Sequence, residues 1–236
     1  MRLLKLLLIL CVCAAGSAAA GPLEEADAAL DKGDYATATR LLRPLAEQGI
    51  ADAQYNLGVM YYNGWGVPQD YSAAVSWYRK AAEQGHADAQ NNLGFSYSQG
   101  HGVPKDYAAA VSWYRKAADQ GDSEAQLNLG FMYTLGHGVP KNYAAAASWY
   151  RKAAEQGHAS AQFNLGLMYS SGGGVPQDYV QAHKWFNLAA SRFDATAKVN
   201  RDKAVSNRDG VTARMTPAQI AEAEKLAREW KPKSER

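Results

Sequence analysis

The chain has 236 residues, with 25 lysines and arginines against 23 aspartates and glutamates, for a formal net charge of +2. Arg2 and Lys5 lie near the start, so a chain cleaved after residue 20 is close to neutral, and nucleic acid and anionic lipid are not expected as partners. Both cysteines, Cys11 and Cys13, lie in the same segment, so the cleaved chain has no thiol for a disulfide, a metal or nucleophilic chemistry.

Residues 1–20 have the three-part organisation of an export signal. The basic start is followed by an apolar run from Leu6 to Ala15, about half of the roughly 20 residues that a helix needs to cross a bilayer. Ala18 and Ala20 form an A-x-A cleavage site. We therefore predict a signal peptide cleaved after Ala20, a mature form without a transmembrane segment, and a periplasmic or secreted location. A retained helix and a lipoprotein are the alternatives.

Residues 21–49 are predicted to be a degenerate repeat that caps the N-terminus. Asp34 and Tyr35 lie 36 residues before Asp70 and Tyr71, which open a helix in the first full repeat. The residues from 41 to 49 then resemble the end of that helix, and the residues from 23 to about 32 are expected to supply a first helix.

A 36-residue repeat follows in four copies, over residues 50–85, 86–121, 122–157 and 158–193. Each copy has a Leu-Gly pair, a Gly-Val-Pro run, a tyrosine, and a tryptophan six residues after that tyrosine. These landmarks begin at Leu57, Leu93, Leu129 and Leu165; at Gly66, Gly102, Gly138 and Gly174; at Tyr71, Tyr107, Tyr143 and Tyr179; and at Trp77, Trp113, Trp149 and Trp185. Repeats of this length indicate stacked structural units.

Each repeat is predicted to contain two helices, which we call helix A and helix B. In the first repeat helix A covers about 51–62, the loop 63–68 ends it, and Asp70 is the expected N-cap of helix B, which ends at Gln84-Gly85. Gly58 recurs inside every helix A, at a cost in helix propensity, which predicts close approach of another helix there. We predict an all-α solenoid of stacked antiparallel helix pairs.

Residues 194–236 are predicted to form a C-terminal helical cap and tail. Thr216, Pro217 and Gln219 combine an N-cap, a proline at the first helical position and a capping-box glutamine. A closing helix is expected to run from there to about Trp230.

The repeated run resembles the Sel-1-like repeat family. In the first repeat it begins at Ala53 and reads Ala-Gln-x-Asn-Leu-Gly-x-x-Tyr-x-x-Gly-x-Gly-Val-Pro-x-Asp-Tyr-x-x-Ala-x-x-Trp-Tyr-x-Lys-Ala-Ala, and the likeness covers about 34–190. The resemblance implies a right-handed superhelix related to tetratricopeptide repeats, used as a scaffold that presents a concave groove to partner proteins. It implies no reaction, so we expect no enzyme activity.

Positions that vary among the four copies mark the candidate groove. Four positions on helix A, spaced i, i+4, i+7 and i+8, share one face opposite the constant residues. The candidate groove comprises Tyr55, Val59, Tyr62, Asn63, Asn91, Phe95, Ser98, Gln99, Leu127, Phe131, Thr134, Leu135, Phe163, Leu167, Ser170 and Ser171. The alternative is that positions 55 and 59 belong to the core, which leaves 62 and 63 as the contacts. We expect an unidentified protein or peptide as partner and a monomeric chain.

Other functions have weaker support in the sequence. Trp65 is a loop aromatic that occurs in one copy only, and it is the basis for the alternative function, envelope glycan binding or hydrolysis. The competing explanation is that a loop aromatic covers the edge of the core. Relatives discussed as lactam-hydrolysing proteins carry cysteines, and this mature chain has none. No G-x-S-x-G or S-x-x-K motif occurs. We expect no catalytic residue and no cofactor.

The five histidines do not form a metal-binding pattern. His101 and His137 occupy equivalent loops, expected about 8 to 10 Å apart, which is too far to share one metal at about 2 Å per bond. His86 and His158 lie two repeats apart, and His183 stands alone. We interpret the turn histidines as exposed to solvent and predict no metal site.

Overall fold

The computed structural model describes residues 21–194 and 196–233, which form twelve α-helices and no β-strand. The predicted signal peptide lies outside these residues. The helices are α1 over 21–31, α2 Tyr35–Glu47, α3 Ala51–Asn63, α4 Tyr71–Glu83, α5 Ala87–Gln99, α6 Tyr107–Asp119, α7 Ser123–Leu135, α8 Tyr143–Glu155, α9 Ala159–Ser171, α10 Tyr179–Arg192, α11 Lys198–Thr212 and α12 Pro217–Glu229. Helix A of the four repeats is α3, α5, α7 and α9, and helix B is α4, α6, α8 and α10. The all-α repeat fold is confirmed.

The chain divides into two compact units, one up to Asp106 and one from Tyr107. In unit 1, α2 packs on α3, α3 on α4 and α4 on α5. In unit 2, each helix from α6 to α10 packs on the next helix in the chain. The last helix, α12, packs on α10. Apart from α12, the helices of each unit therefore pack on their neighbours in chain order.

The predicted helix ends have the expected caps. The Asp70 carboxylate accepts the backbone N–H groups of Ser72 and Ala73, both at 2.9 Å, and so begins α4. Helix A of the first repeat ends one residue later than predicted, where Gly64 adopts a left-handed conformation with φ +74°. At the C-terminus, Thr216 and Gln219 form the predicted capping box of α12.

The recurring glycine of helix A allows helix B to pack against it, as predicted. A Cβ placed on Gly58 would lie 2.6 Å from Cδ1 of Tyr78, and one on Gly166 would lie 2.7 Å from Cδ1 of Phe186. The same contact joins Gly130 to the ring of Tyr150. These distances leave no room for a side chain, so glycine sets the separation of the two helices.

A recurring glutamine connects each helix A to the helix B before it. The Gln54 side-chain amide donates to the Ala46 carbonyl oxygen at 3.0 Å in unit 1, and the Gln162 amide donates to the Ala154 carbonyl oxygen at 3.1 Å in unit 2. The glutamines are buried, and these carbonyls lie near the ends of their helices, where they also accept the backbone N–H groups of Gly49 and Gly157. The glutamine thus adds a second hydrogen bond to a carbonyl at the end of the preceding helix and so links the two helices.

The first and last helices close the cores of their units. In unit 1, Ala26 of α1 is buried with Leu42 and Leu57, so the helix pair in residues 21–49 shares a core with the first repeat. In unit 2, Ala227 of α12 belongs to the same core cluster as Trp185, and the ring of Trp230 meets that of Trp185 edge to face at 6.1 Å. Both ends bury apolar residues of the adjacent repeat.

Candidate protein-binding surface

The most exposed apolar side chains of helix A belong to the candidate groove. Phe95 and Phe131 are each 39% exposed, and Leu135 is 58% exposed. The other large apolar residues that are exposed within residues 21–194 and 196–233 are Trp65, Tyr143 and Val199. Half of the exposed large apolar side chains therefore lie at variable helix-A positions, where the sequence predicted contacts.

A pocket in unit 1 brings several of the predicted residues together. Its cavity of about 290 Å³ is lined by Tyr55, Val59, Tyr62 and Asn63 of α3 and by Phe95 of α5. Tyr78 of α4 and Asn92 of α5 complete it. We call these seven residues the unit-1 pocket. Its lining is mainly apolar with two amides, the composition of a site that receives an apolar group.

An aromatic cluster holds one wall of the unit-1 pocket in place. The Tyr62 hydroxyl and Nδ1 of His101 are joined by a hydrogen bond of 2.8 Å. His101 stacks on Tyr71 with ring centroids 4.7 Å apart, and Phe95 meets Tyr62 edge to face at 6.5 Å. Burial, reinforced by nearby Tyr71, raises the pKa of Tyr62, so its hydroxyl is neutral. The wall is a packed set of aromatic rings.

Tyr78 and Asn92 are pocket residues that the sequence reasoning missed. Burial raises the pKa of Tyr78, while a side-chain hydrogen bond to Asn92 acts in the opposite direction. Tyr78 recurs in the first three repeats and Asn92 in all four, and constant residues were assigned to the scaffold. The signal that could have found Asn92 is its polarity, because a recurring amide on a half-buried helix needs a partner.

A second pocket lies in unit 2. Its cavity of about 210 Å³ joins Phe131 of α7 and Phe163 of α9 to residues that the sequence did not predict, namely Ser160, Asn164, Phe193, Asn200 and Lys203. Leu135 lies on α7 beyond this set and stays exposed. The pocket forms where the C-terminal segment meets helix A, so its position depends on tertiary packing.

Three residues of the candidate groove are buried, and this part of the prediction is wrong. Leu127 belongs to the core of unit 2, and Asn91 and Ser98 are buried on α5. The Ser98 hydroxyl donates to the carbonyl oxygen of Phe95 at 2.8 Å instead of facing solvent. Positions 55 and 62 of each repeat lie at the rim of the helix pair, so whether they are covered depends on the neighbouring side chains of each copy.

The remaining predicted residues lie at or near the surface. Asn63, Gln99 and Ser171 are exposed; Thr134, Leu167 and Ser170 are half-buried. The Thr134 hydroxyl bonds that of Tyr150 at 3.1 Å, and Leu167 packs against the core with Phe163. Unit 1 thus gathers the predicted positions into one pocket more completely than unit 2.

The loop residues that suggested other functions stack on tyrosines. Trp65 lies over Tyr35 with ring centroids 5.0 Å apart, and His137 lies over Tyr107 at 4.3 Å. With His101 on Tyr71, the same loop position is used three times for packing. One face of Trp65 is therefore covered by the protein, which leaves less of it for a sugar ring.

The interpretation of the turn histidines as solvent-exposed is also wrong. Nδ1 of His158 accepts the backbone N–H of Ala161, which caps α9, and its Nε2 lies 2.8 Å from Glu124. His86 makes the equivalent contacts with Ala89 and Asp52. These histidines are helix caps held by acids. In the described part of the chain, no group of three or more metal-binding side chains is placed to hold an ion.

Comparison with known proteins identifies the repeats. The model of a family described as Sel1 repeat matches residues 51–86, 87–122, 123–158 and 159–192. No curated protein sequence matches the chain. Among residues 21–194 and 196–233, no helix is both long and apolar enough to span a membrane.

Solved structures share the fold. A Sel1 repeat protein from Oxalobacter formigenes is 33% identical with a TM-score of 0.68, and the match covers 84% of this chain and 88% of that one. The protein c5321, a protective antigen of uropathogenic Escherichia coli with an SLR fold, is 33% identical with a TM-score of 0.57. That match covers 90% of this chain and 53% of c5321, so the chain spans about half of its length. PilF of Pseudomonas aeruginosa has a similar fold at 22% identity and a TM-score of 0.57, over 91% of this chain and 98% of PilF.

Proposed function

Because the chain belongs to the Sel1 repeat family, whose repeats generally mediate protein–protein interaction, we propose that it is an exported scaffold that binds a partner protein. Binding takes place at the apolar surface of helix A. The observation that carries the proposal is the exposure of Phe95 in the wall of the unit-1 pocket, which has room for an apolar side chain of the partner.

The energetics favour an apolar contact at Phe95. Covering its exposed part removes on the order of 80 Å² of apolar surface from water, which contributes about 2 kcal/mol. Apolar side chains exposed around a pocket are typical of binding surfaces, whereas single scattered ones are ordinary. The rings behind Phe95 are already packed, so little side-chain freedom is lost when a partner binds.

The polar groups at the edge of the surface suit a protein segment. Asn63 and Gln99 are exposed and carry amides that can both donate and accept hydrogen bonds. Uncharged donors and acceptors can hydrogen-bond to the backbone of a partner, while the apolar pocket buries one of the partner's side chains. We therefore propose a partner segment with an apolar or aromatic anchor and little charge.

The exported location rests on the composition of residues 1–20. A basic start, a short apolar run and an A-x-A site together support cleavage after Ala20. A relative described as a protective antigen is compatible with export of this chain. The partner is accordingly proposed to be a protein of the cell envelope or the exterior.

A crosslinking experiment tests the binding surface. A photo-reactive residue is placed at position 95 or 135, and control residues are placed at Ser76 and Ser148, which are exposed on helix B. We expect one discrete protein adduct from 95 or 135 in native envelope extracts and none from either control. Phe95→Ser, with unchanged thermal stability, should weaken capture of that protein by about tenfold or more.

Equal labelling from helix A and helix B positions, or capture unaffected by Phe95→Ser, would contradict the proposed surface. Location is tested separately, by N-terminal sequencing of the mature protein from fractionated cells. A mature chain that begins at Met1 and is found in the cytoplasm would contradict export. That result would not affect the proposed binding surface, which the crosslinking experiment tests.

A further inference from the structure

A polar cavity lies in the C-terminal part of unit 2, away from the helix-A surface. It has a volume of about 380 Å³ and lies among α10, α11 and α12. Its charged and polar lining includes His183 and Asn187 of α10, Arg208 and Asp209 of α11, and Glu224 and Arg228 of α12. A cavity of this size accommodates a small molecule.

One buried side chain in this lining lacks a hydrogen-bond partner. His183 is only 4% exposed, and its Nδ1 has no partner among the residues that the structure describes. Buried polar atoms are nearly always hydrogen-bonded, so a polar group from outside the described residues would satisfy this one. Burial, reinforced by the nearby Arg208 charge, lowers the pKa of His183, so its ring is neutral at neutral pH and offers one donor and one acceptor.

The charges around the cavity are balanced. The Arg208 guanidinium lies 2.9 Å from the carboxylate of Asp209, the next residue in the chain. It also donates to the Asn187 side-chain oxygen at 3.3 Å. Arg228 and Glu224 lie 3.6 Å apart, in a looser ion pair at the mouth of the cavity. Two cations and two anions favour neither a bare anion nor a bare cation; a ligand that carries both charges is the best complement.

We propose that this cavity binds a small zwitterion with an α-ammonium and a carboxylate group, as in a free α-amino acid or a very short peptide. The Arg228 guanidinium binds the ligand carboxylate, because its planar donors match a carboxylate. The Glu224 carboxylate accepts from the ligand ammonium. His183, deeper in the lining, hydrogen-bonds a polar group of the ligand.

Calorimetric titration of the full chain tests the site. The probes are the twenty free L-α-amino acids, glycylglycine and trialanine. We expect at least one to bind with a Kd below about 1 mM, and its N-acetyl and C-terminal amide forms to bind at least about tenfold more weakly. Binding by glycylglycine or trialanine but by no free amino acid would assign the site to a peptide.

Matched variants distinguish this site from nonspecific binding. Glu224→Gln and Arg228→Gln keep side-chain size and should each weaken binding by about tenfold or more. Lys225→Gln, an exposed neighbour on α12, and Phe95→Ser in unit 1 should leave binding unchanged. Thermal melts establish that every variant is folded.

Three outcomes would overturn the proposal. They are no binding of any probe at about 10 mM, equal binding of the acetylated and amidated forms, and wild-type affinity in both Glu224→Gln and Arg228→Gln. None of these results bears on the helix-A surface, whose crosslinking test uses other residues.

Discussion

Glycine recurs in the middle of helix A, where alanine would favour the helix by about 1 kcal/mol. At Gly58 the ring of Tyr78 occupies the place of a Cβ, and the carbonyl oxygen of Ala74 is a further 3.3 Å neighbour. Tyr78 is buried and cannot move aside cheaply. Packing therefore outweighs helix propensity at this residue.

Gly58→Ala should destabilise the protein by about 2 kcal/mol. The steric cost falls at the upper end of the roughly 1–3 kcal/mol typical of overpacking, and the gain in helix propensity offsets only about 1 kcal/mol. Gly210→Ala is the matched control, because Gly210 lies inside α11 with nothing within 4 Å of a Cβ, and it should gain about 0.5–1 kcal/mol. Urea denaturation measures both, and a stabilised Gly58→Ala would contradict the packing argument.

A single loop position shows how residue identity changes local packing. Trp65, His101 and His137 each stack on a tyrosine, and the equivalent position in the fourth repeat is Gly173. The tyrosine next to Gly173 is Tyr143, which is exposed and has the Lys141 ammonium over its ring, at 4.9 Å. Stacking thus accounts for the two loop histidines without a ligand.

The Gly-x-Gly-Val-Pro loop is a packing element as well as a turn. Its second glycine has positive φ, at +67° for Gly66 and +72° for Gly102, and lies against the backbone of Tyr35 and Tyr71, respectively. Those tyrosines begin the second helix of the preceding pair. The loop therefore joins helix A to helix B and also holds neighbouring repeats together within a unit.

Comparing Gly102→Ala with Gly85→Ala separates the role of glycine in the turn from its role in packing. Both residues have positive φ, so alanine costs about 1–2 kcal/mol of backbone strain at either position. A Cβ on Gly85 meets nothing within 4 Å, whereas one on Gly102 would overlap the Tyr71 carbonyl. We expect Gly102→Ala to lose at least about 1 kcal/mol more than Gly85→Ala in chemical denaturation. Equal losses would show that the loop contact contributes little.

At the scale of the whole molecule, the terminal helices cover cores that the repeats cannot close alone. In unit 2 the rings of Trp185 and Trp230 are in contact, and Arg192 lies over the Trp230 ring at 4.5 Å. Ala227 completes the same core. Helix α12 therefore has a stabilising role besides lining the polar cavity.

A chain that ends at Arg214, and so lacks α12, should melt at least about 5 °C lower than the full chain and bind a hydrophobic dye. The reason is that Trp185 and Leu188 lose the apolar side chains that cover them. In a chain of this size, each loss of 1 kcal/mol in the free energy of unfolding lowers Tm by roughly 2–4 °C. Trp230→Phe in the full chain keeps an aromatic ring there and should lose less. An unchanged melting temperature in the shortened chain would contradict a capping role.

The sequence by itself was sufficient to predict the repeats, the helix pairs, the helix caps at Asp70 and Thr216, and the close approach of two helices at Gly58. These features depend on signals that act within a few residues, such as the Asp70 cap and the Thr216 capping box, or on periodicity repeated four times. The sequence also indicated the helix-A face on which Phe95, Phe131 and Leu135 are exposed.

Only the tertiary structure decided which variable positions reach solvent and where cavities form. Asn91, Ser98 and Leu127 are buried because side chains from neighbouring helices cover them, and Tyr78 and Asn92 line a pocket although they are constant. The cavity at His183 combines three helices whose lining residues lie up to 45 positions apart in the chain. Burial is a property of distant residues packed together, so a pattern within one helix cannot determine it.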